Sequence, residues 1–182
     1  AFDRGEWSQD RASTESVSGI AEVAYNWTML GTYGVLGPIR ENTENGLASR
    51  LIMAEMPDNS FAPMPHNKPK TDNDKMLIQE GVRRLCSRKG FVDTPRLRRN
   101  IHKWVEDKRL EAKIDNDHVK DIFRRRSAVI GFRAGVVCHL LWGDEKESKK
   151  TVDFALKVAE LTLRGQIRIF SKEMLKLIKR DL

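Results

Sequence analysis

From residue 72 onward a few punctuation residues cut the chain into helix-length pieces, and no other feature restricts the possible fold as much. A first helix is predicted over residues 74–88, closed by Gly90. The next begins at Asp93-Thr94-Pro95, because a capping side chain followed by proline in the first turn is a start signal. Its apolar stripe is Leu97, Ile101, Trp104 and Val105, and Arg96, Arg98, Arg99 and Lys103 lie off it. A third helix is predicted from Asn116-Asp117 to Trp142, ended by Gly143. A fourth spans residues 150–179, with Val152, Ala155, Ala159, Thr162, Ile169 and Phe170 on one face. The small Ala155 and Ala159 permit close helix approach.

The chain before residue 72 reads differently. Residues 1–20 are polar and carry no periodicity, so loop or short helix is expected. Over residues 22–36, Val23, Tyr25, Trp27 and Met29 alternate with Glu22, Ala24, Asn26 and Thr28, which predicts a strand. Gly31, Gly34, Gly37 and Pro38 then break it. A second strand is predicted over residues 50–56, where Leu51, Ile52 and Met53 precede Pro57. Pro63, Pro65 and Pro69 follow among Asn, Lys and Asp, marking residues 58–71 as a linker. The expected fold is an α-rich α+β chain. An incomplete β-containing piece fills residues 1–57, and a helical domain of about four helices fills residues 72–182.

Charge divides the same way. The 182 residues carry a net charge of +7. Residues 1–75 hold 7 Lys/Arg against 11 Asp/Glu, and the remainder hold the other 26 against 15. A basic half suits nucleic acid, since phosphate neutralisation drives sequence-independent binding; a solvated basic helix surface is the plainer alternative. No stretch approaches the roughly 18 apolar residues of a membrane span. Cys86 and Cys138 alone make neither a disulfide framework nor a zinc cage. His66, His102, His118 and His139 lack metal-ligand spacing, so no metal site is expected. Neither a Gly-x-Ser-x-Gly elbow nor a Gly-x-x-x-x-Gly-Lys-Ser/Thr phosphate loop is present. The start at Ala1 suggests a processed chain or a piece of something longer, and a cytoplasmic address is the default expectation.

The third helix holds the most informative physical feature. Val119, Ile122, Phe123, Ile130, Ala134, Val137 and Leu141 form its expected stripe, and Arg126 and Arg133 fall within it. Two arginines aimed at a core need partners, because burying an isolated charge is very costly. An ion-pair network with Glu160 or Asp153 is one solution, and a bound phosphate is another. Arg124 and Arg125 point elsewhere and are candidates for phosphate contact. Basic residues at 83, 84, 88, 89, 96, 98, 99 and 103 cluster around a helix–turn–helix-like joint at residues 90–95. Few Asn or Gln residues stand there for base reading, so contact to backbone phosphates is expected.

Several phrases resemble a known family. AFDRGEWSQDRAS, then YNWTMLGTYG, then ENTENGLASRLIMAEMPD, resemble the later part of the ATPase core in primase/helicase-like proteins of mobile elements and phages. These are RecA-type P-loop proteins of uncharacterised function. FRRRSAVIGFRAGVVCHLLWG and TVDFALKVAELTLRGQI resemble their C-terminal helical region. The resemblance covers most of the chain and rests on phrases, with no catalytic signature. It implies that Asn26 and Thr32 stand where such cores sense the γ-phosphate. It implies that Arg50 serves as an arginine finger, where a salt bridge to Glu41 or Glu44 is the structural alternative. It places Gln9 and Arg11 near the DNA path. ATP and magnesium would belong to the intact parent and DNA would be the partner, with homo-oligomerisation possible. Lacking the phosphate loop, this chain alone is not expected to hydrolyse ATP. The alternative from another class is a helical protein–protein interaction module whose basic face meets an acidic partner.

Overall fold

A computed structural model describes residues 5–9, 19–23, 28, 30–31, 33–37, 48–54, 61, 63 and 68–180. For both strands and for the fourth helix beyond residue 171, only the backbone is described. The chain forms two compact units that divide between Pro38 and Ile39.

In the first unit β1 (Gly5–Gln9) pairs antiparallel with β2 (Gly19–Val23), Gly5 opposite Val23 and Gln9 opposite Gly19. Two sequence expectations change here. Residues 1–20 hold a strand and the start of another, where loop or helix was expected. Of the strand expected over residues 22–36, the described residues show Glu22 and Val23 in β2, while Tyr33–Leu36 wind into a 3-10 turn; residues 24–27, 29 and 32 lie outside the described residues. The glycines around that turn lack the side chains that a pleated strand packs.

The second unit is helical: α1 (Asp72–Ser87), α2 (Pro95–Ile114), α3 (His118–Trp142) and α4 (Lys149–Arg180). All four lie where the punctuation placed them, and most of the boundaries are written in local chemistry. Thr71 and Asp74 close a capping box on α1. The Thr71 hydroxyl accepts from the Asp74 N–H at 3.2 Å, and the Asp74 carboxylate accepts from the Thr71 N–H at 2.9 Å. Asp117 caps α3 by accepting from the Lys120 N–H. Gly143 ends α3 in the left-handed region at φ 73°, which glycine enters without strain. Arg84 of α1 completes that end by donating to the carbonyls of Leu141 and Trp142 at 3.1 and 2.8 Å.

The start of α2 departs from expectation. Thr94 holds the cap position, but its side chain makes no capping bond, and Asp93 pairs with Arg98 instead. The capping oxygen comes from the α3–α4 connection, where the buried Glu147 carboxylate accepts from the Leu97 N–H at 3.1 Å. Burial raises the Glu147 pKa. The N–H groups of Leu97, Glu147 and Arg96, with His139 nearby, outweigh this and hold it below the usual glutamate value. A depressed pKa contributes stability that is present above the unfolded-state value of about 4.3 and lost as pH falls through the folded value. Thermal melts should therefore show stability falling as the pH drops below about 4.3, a loss that Glu147→Gln reduces. Glu147→Ala orphans a buried donor and should cost about 1–3 kcal/mol at neutral pH.

The centre of the unit is an antiparallel α3–α4 pair, since partners fall along α4 as they rise along α3. Phe123 meets Phe170 with ring centroids 6.3 Å apart. Ser127 donates to the Gln166 amide oxygen at 3.1 Å. Gly131 faces Ala155 and Ala159, and Gly135 faces Ala155 and Leu97. A β-carbon on Gly131 would lie 2.7 Å from both the Ala155 carbonyl oxygen and the Ala159 β-carbon. The expected α4 face is buried as predicted: Val152, Ala155, Ala159, Thr162, Ile169 and Phe170. Leu97, Ile101, Ala128 and Ala155 form the core beside it, with Trp104 and Val105 packed against them.

The phase of α3 is a correction. Its buried line is Val119, Phe123, Ser127, Gly131, Gly135 and His139, joined by Arg124 and Ala128. Arg126 and Arg133 are exposed, along with Ile122, Val129 and Val137. The packed surface is lined by glycine, alanine and serine, which carry little hydrophobic signal, so the large residues misled the phase. One of the two proposed acids, Glu160, serves other cations. Glu160 takes Arg164 at 2.9 Å and Lys108 at 3.3 Å, and accepts from the Trp104 ring N–H.

The expected strand over residues 50–56 is also absent among the described residues. Ala48–Arg50 form a 3-10 turn, and residues 51–54 run without regular structure. Their carbonyls turn to α4. The buried Gln166 amide donates to the Ser49 and Leu51 carbonyls at 2.9 and 3.0 Å. A β-carbon on Gly165 would lie 2.7 Å from the Met53 carbonyl oxygen. This attachment explains why the contact boundary falls at Pro38–Ile39 and not at the proline-rich residues 58–71. Gln166→Leu removes both donors and is expected to cost about 1–3 kcal/mol. Amide hydrogen exchange should then speed up at residues 51–54 well before α4 itself loosens.

Candidate nucleic-acid interface

α2 buries Leu97, Ile101 and Ala112, so its opposite side must carry the residues that fall between those turns. Arg96, Arg98, Arg99 and Lys103 are all exposed there, as their spacing predicted. They are not equivalent. Arg96 donates to the Glu147 carbonyl at 3.2 Å. Arg98 is held by Asp93. Arg99 and Lys103, one turn apart, have no ion-pair partner among the described residues. They are cations with no internal use.

The arginine run on α3 splits in the same manner. Arg124 is only 4% exposed and donates to Asp121 at 2.7 Å. That burial takes it out of the set that can reach a phosphate, which corrects its expected role. Arg125 and Arg126 are exposed and have no acid partner among the described residues. Arg133 is exposed as well, though it makes an interaction of its own. Glu106 of α2 is held below the usual glutamate range first by its bond to Arg109, and further by Arg124 and His102. Of the arginine run, only the buried Arg124 acts on Glu106. Exposed cations thus stand on two neighbouring helices, at Arg99 and Lys103 of α2 and at Arg125 and Arg126 of α3.

The residues singled out by family resemblance fall elsewhere. Gln9 closes β1, where only the backbone is described. Arg11, Asn26 and Thr32 lie outside the described residues. Arg50 ends the 3-10 turn of the helical unit, half-buried and engaged in an interaction. The carbonyls on either side of it, at Ser49 and Leu51, are those clamped by Gln166. Sequence reasoning missed Gln166 and Glu147, because each acts across more than forty residues and no local pattern announces it.

Among the described residues, no group of three or more His, Cys, Asp or Glu side chains is placed to hold a metal ion. No helix among them is long and apolar enough to cross a membrane. No protein-family model, no curated protein and no solved structure matches the chain.

Proposed function

We propose that the helical unit binds DNA through backbone phosphates, with Arg99 and Lys103 of α2 and Arg125 and Arg126 of α3 as its contacts. The observation that carries this reading is their exposure without acid partners among the described residues. Such cations cost nothing to keep hydrated and gain by releasing counterions from a polyanion. In the larger reading, drawn from the phrase resemblance, the chain is the later part of a mobile-element primase/helicase-like ATPase. Arg50 is then the finger that offers a planar charge to a phosphoryl oxygen. The Gln166 clamp supports that role, since a finger works only when its backbone is held in place.

Two experiments test these layers separately. Fluorescence anisotropy with labelled duplexes of unrelated sequence should give similar affinities, as phosphate contact demands. Strong preference for one sequence, or no binding at low salt, contradicts the contact surface. The reading frame upstream of Ala1 in the parent gene should encode Gly-x-x-x-x-Gly-Lys-Ser/Thr after a strand-like run. A frame without that motif removes the ATPase layer and leaves the DNA contact standing.

A further inference from the structure

The connection from α1 to α2, residues 88–94, alternates in exposure. Val92 is half-buried and Thr94 is buried, while Phe91 and Asp93 are exposed. Asp93 pairs with Arg98 and ties the segment to the first turn of α2. Gly90, at φ 91°, turns the backbone through the left-handed region just before the ring. Among the described residues from Asp72 onward, Phe91 is the most exposed aromatic side chain, at 87%. A phenylalanine left in water forgoes the gain of burial, which its neighbour Val92 partly takes.

The charge around the ring narrows what can cover it. Residues 85–99 carry Arg88, Lys89, Arg96, Arg98 and Arg99 against one acid, Asp93. Asp93 is taken by Arg98, and Arg96 donates to the Glu147 carbonyl. Arg88 and Lys89 are exposed and have no ion-pair partner among the described residues. An open ring beside two such cations matches a ligand with flat apolar faces on an anionic chain. Unpaired DNA has that chemistry, whereas the bases of a duplex already stack on one another. An anionic membrane matches less well, because it presents its charge as a plane. The connection from α3 to α4, at the same end of the unit, is neutral: Asp144, Glu145 and Glu147 offset Lys146, Lys149 and Lys150. A plane gains little there, while a single strand needs only the track along Arg88 and Lys89.

We propose that Phe91 is a stacking platform for an unpaired DNA base, with Arg88 and Lys89 holding the phosphates beside it. This rests on the DNA-binding reading of the helical unit and specifies its ligand. Arg99 and Lys103 lie further along the helix that Phe91 precedes, so the preferred ligand is DNA with a single-stranded stretch.

Fluorescence anisotropy of the full chain with labelled oligo-dT and with a labelled blunt duplex tests this. The bases of oligo-dT are unpaired and open to stacking. Phe91→Ala removes the ring and leaves the charge unchanged, so a surface that only attracts phosphate does not feel it. The variant should weaken oligo-dT binding about fivefold or more, while its duplex affinity stays at the parent's value. Phe91→Trp should keep the parent's affinity for oligo-dT. Trp142→Ala removes an exposed ring that lies outside the basic stretch and should leave oligo-dT binding unchanged. No binding of oligo-dT, a Phe91→Ala variant that binds it like the parent, an equal loss from Trp142→Ala, or an equal loss on the duplex would each overturn the proposal. So would phosphatidylserine vesicles that capture the parent chain and not Phe91→Ala, since the ring would then serve a membrane. Failure here is separable from failure of the phosphate surface. Duplex binding reports Arg99, Lys103, Arg125 and Arg126, and the response of oligo-dT to Phe91→Ala reports the ring alone.

Discussion

Gly131→Leu is expected to destabilise the helical unit by about 3 kcal/mol or more, lowering the melting temperature by roughly 10 °C. The reason is geometric. Even a methyl group at Gly131 meets the Ala155 carbonyl oxygen and the Ala159 β-carbon at 2.7 Å. Both belong to the backbone framework of α4 and cannot rotate away. The two helices must part, and the contacts from Phe123–Phe170 to Gly135–Ala155 loosen with them. Gly131→Ala should still cost up to about 2 kcal/mol, even though alanine is worth about 1 kcal/mol over glycine inside a helix. Gly81 supplies the contrast. Its added β-carbon meets Leu141 at 3.4 Å, an ordinary contact. Gly81→Ala should therefore raise stability by about 0.5–1 kcal/mol. Melts followed at 222 nm decide the matter, and equal stabilisation by the two alanines would mean that α3 and α4 do not cross at Gly131.

Reversing the four candidate contacts together should weaken DNA binding at low salt by about a hundredfold or more. The variant is Arg99→Glu/Lys103→Glu/Arg125→Glu/Arg126→Glu. Each reversal removes one phosphate contact and adds one repulsion. All four side chains are exposed, so the fold should survive. Net charge alone could mimic the effect, and a matched control separates the two. Reversing Lys146, Lys149, Lys150 and Lys157 changes the charge equally at exposed positions around the start of α4. That control should lose far less affinity, and an equal loss would place the contacts elsewhere.

The four helices were legible because most of their ends depend on neighbours in sequence. Thr71, Asp117 and Gly143 act within a turn of where they stand. The inward face of α4 was legible too, since Val152, Ile169 and Phe170 announce it. The face of α3 was not, because a surface made for close approach is lined with Ser127, Ala128, Gly131 and Gly135. Large residues such as Ile122 and Val137 were displaced outward, which brought Arg126 and Arg133 into solvent and Arg124 into the interior. The segment around Arg50 read as a strand from its apolar run. Its carbonyls were claimed by Gln166, more than a hundred residues away. The exposed cations of α2 were visible from spacing alone. Only the positions of Asp93 and Glu147 separated Arg99 and Lys103 from Arg98 and Arg96.

The most direct test of the central claim is the salt dependence of duplex DNA binding by the unaltered chain. Four phosphate contacts predict that log affinity falls against log salt with a slope of about −3.6. Affinity should then drop more than a hundredfold between about 50 and 200 mM salt. The quadruple variant should flatten that slope toward zero. A slope near zero for the unaltered chain, or one that the variant leaves unchanged, would contradict a phosphate-binding surface on α2 and α3.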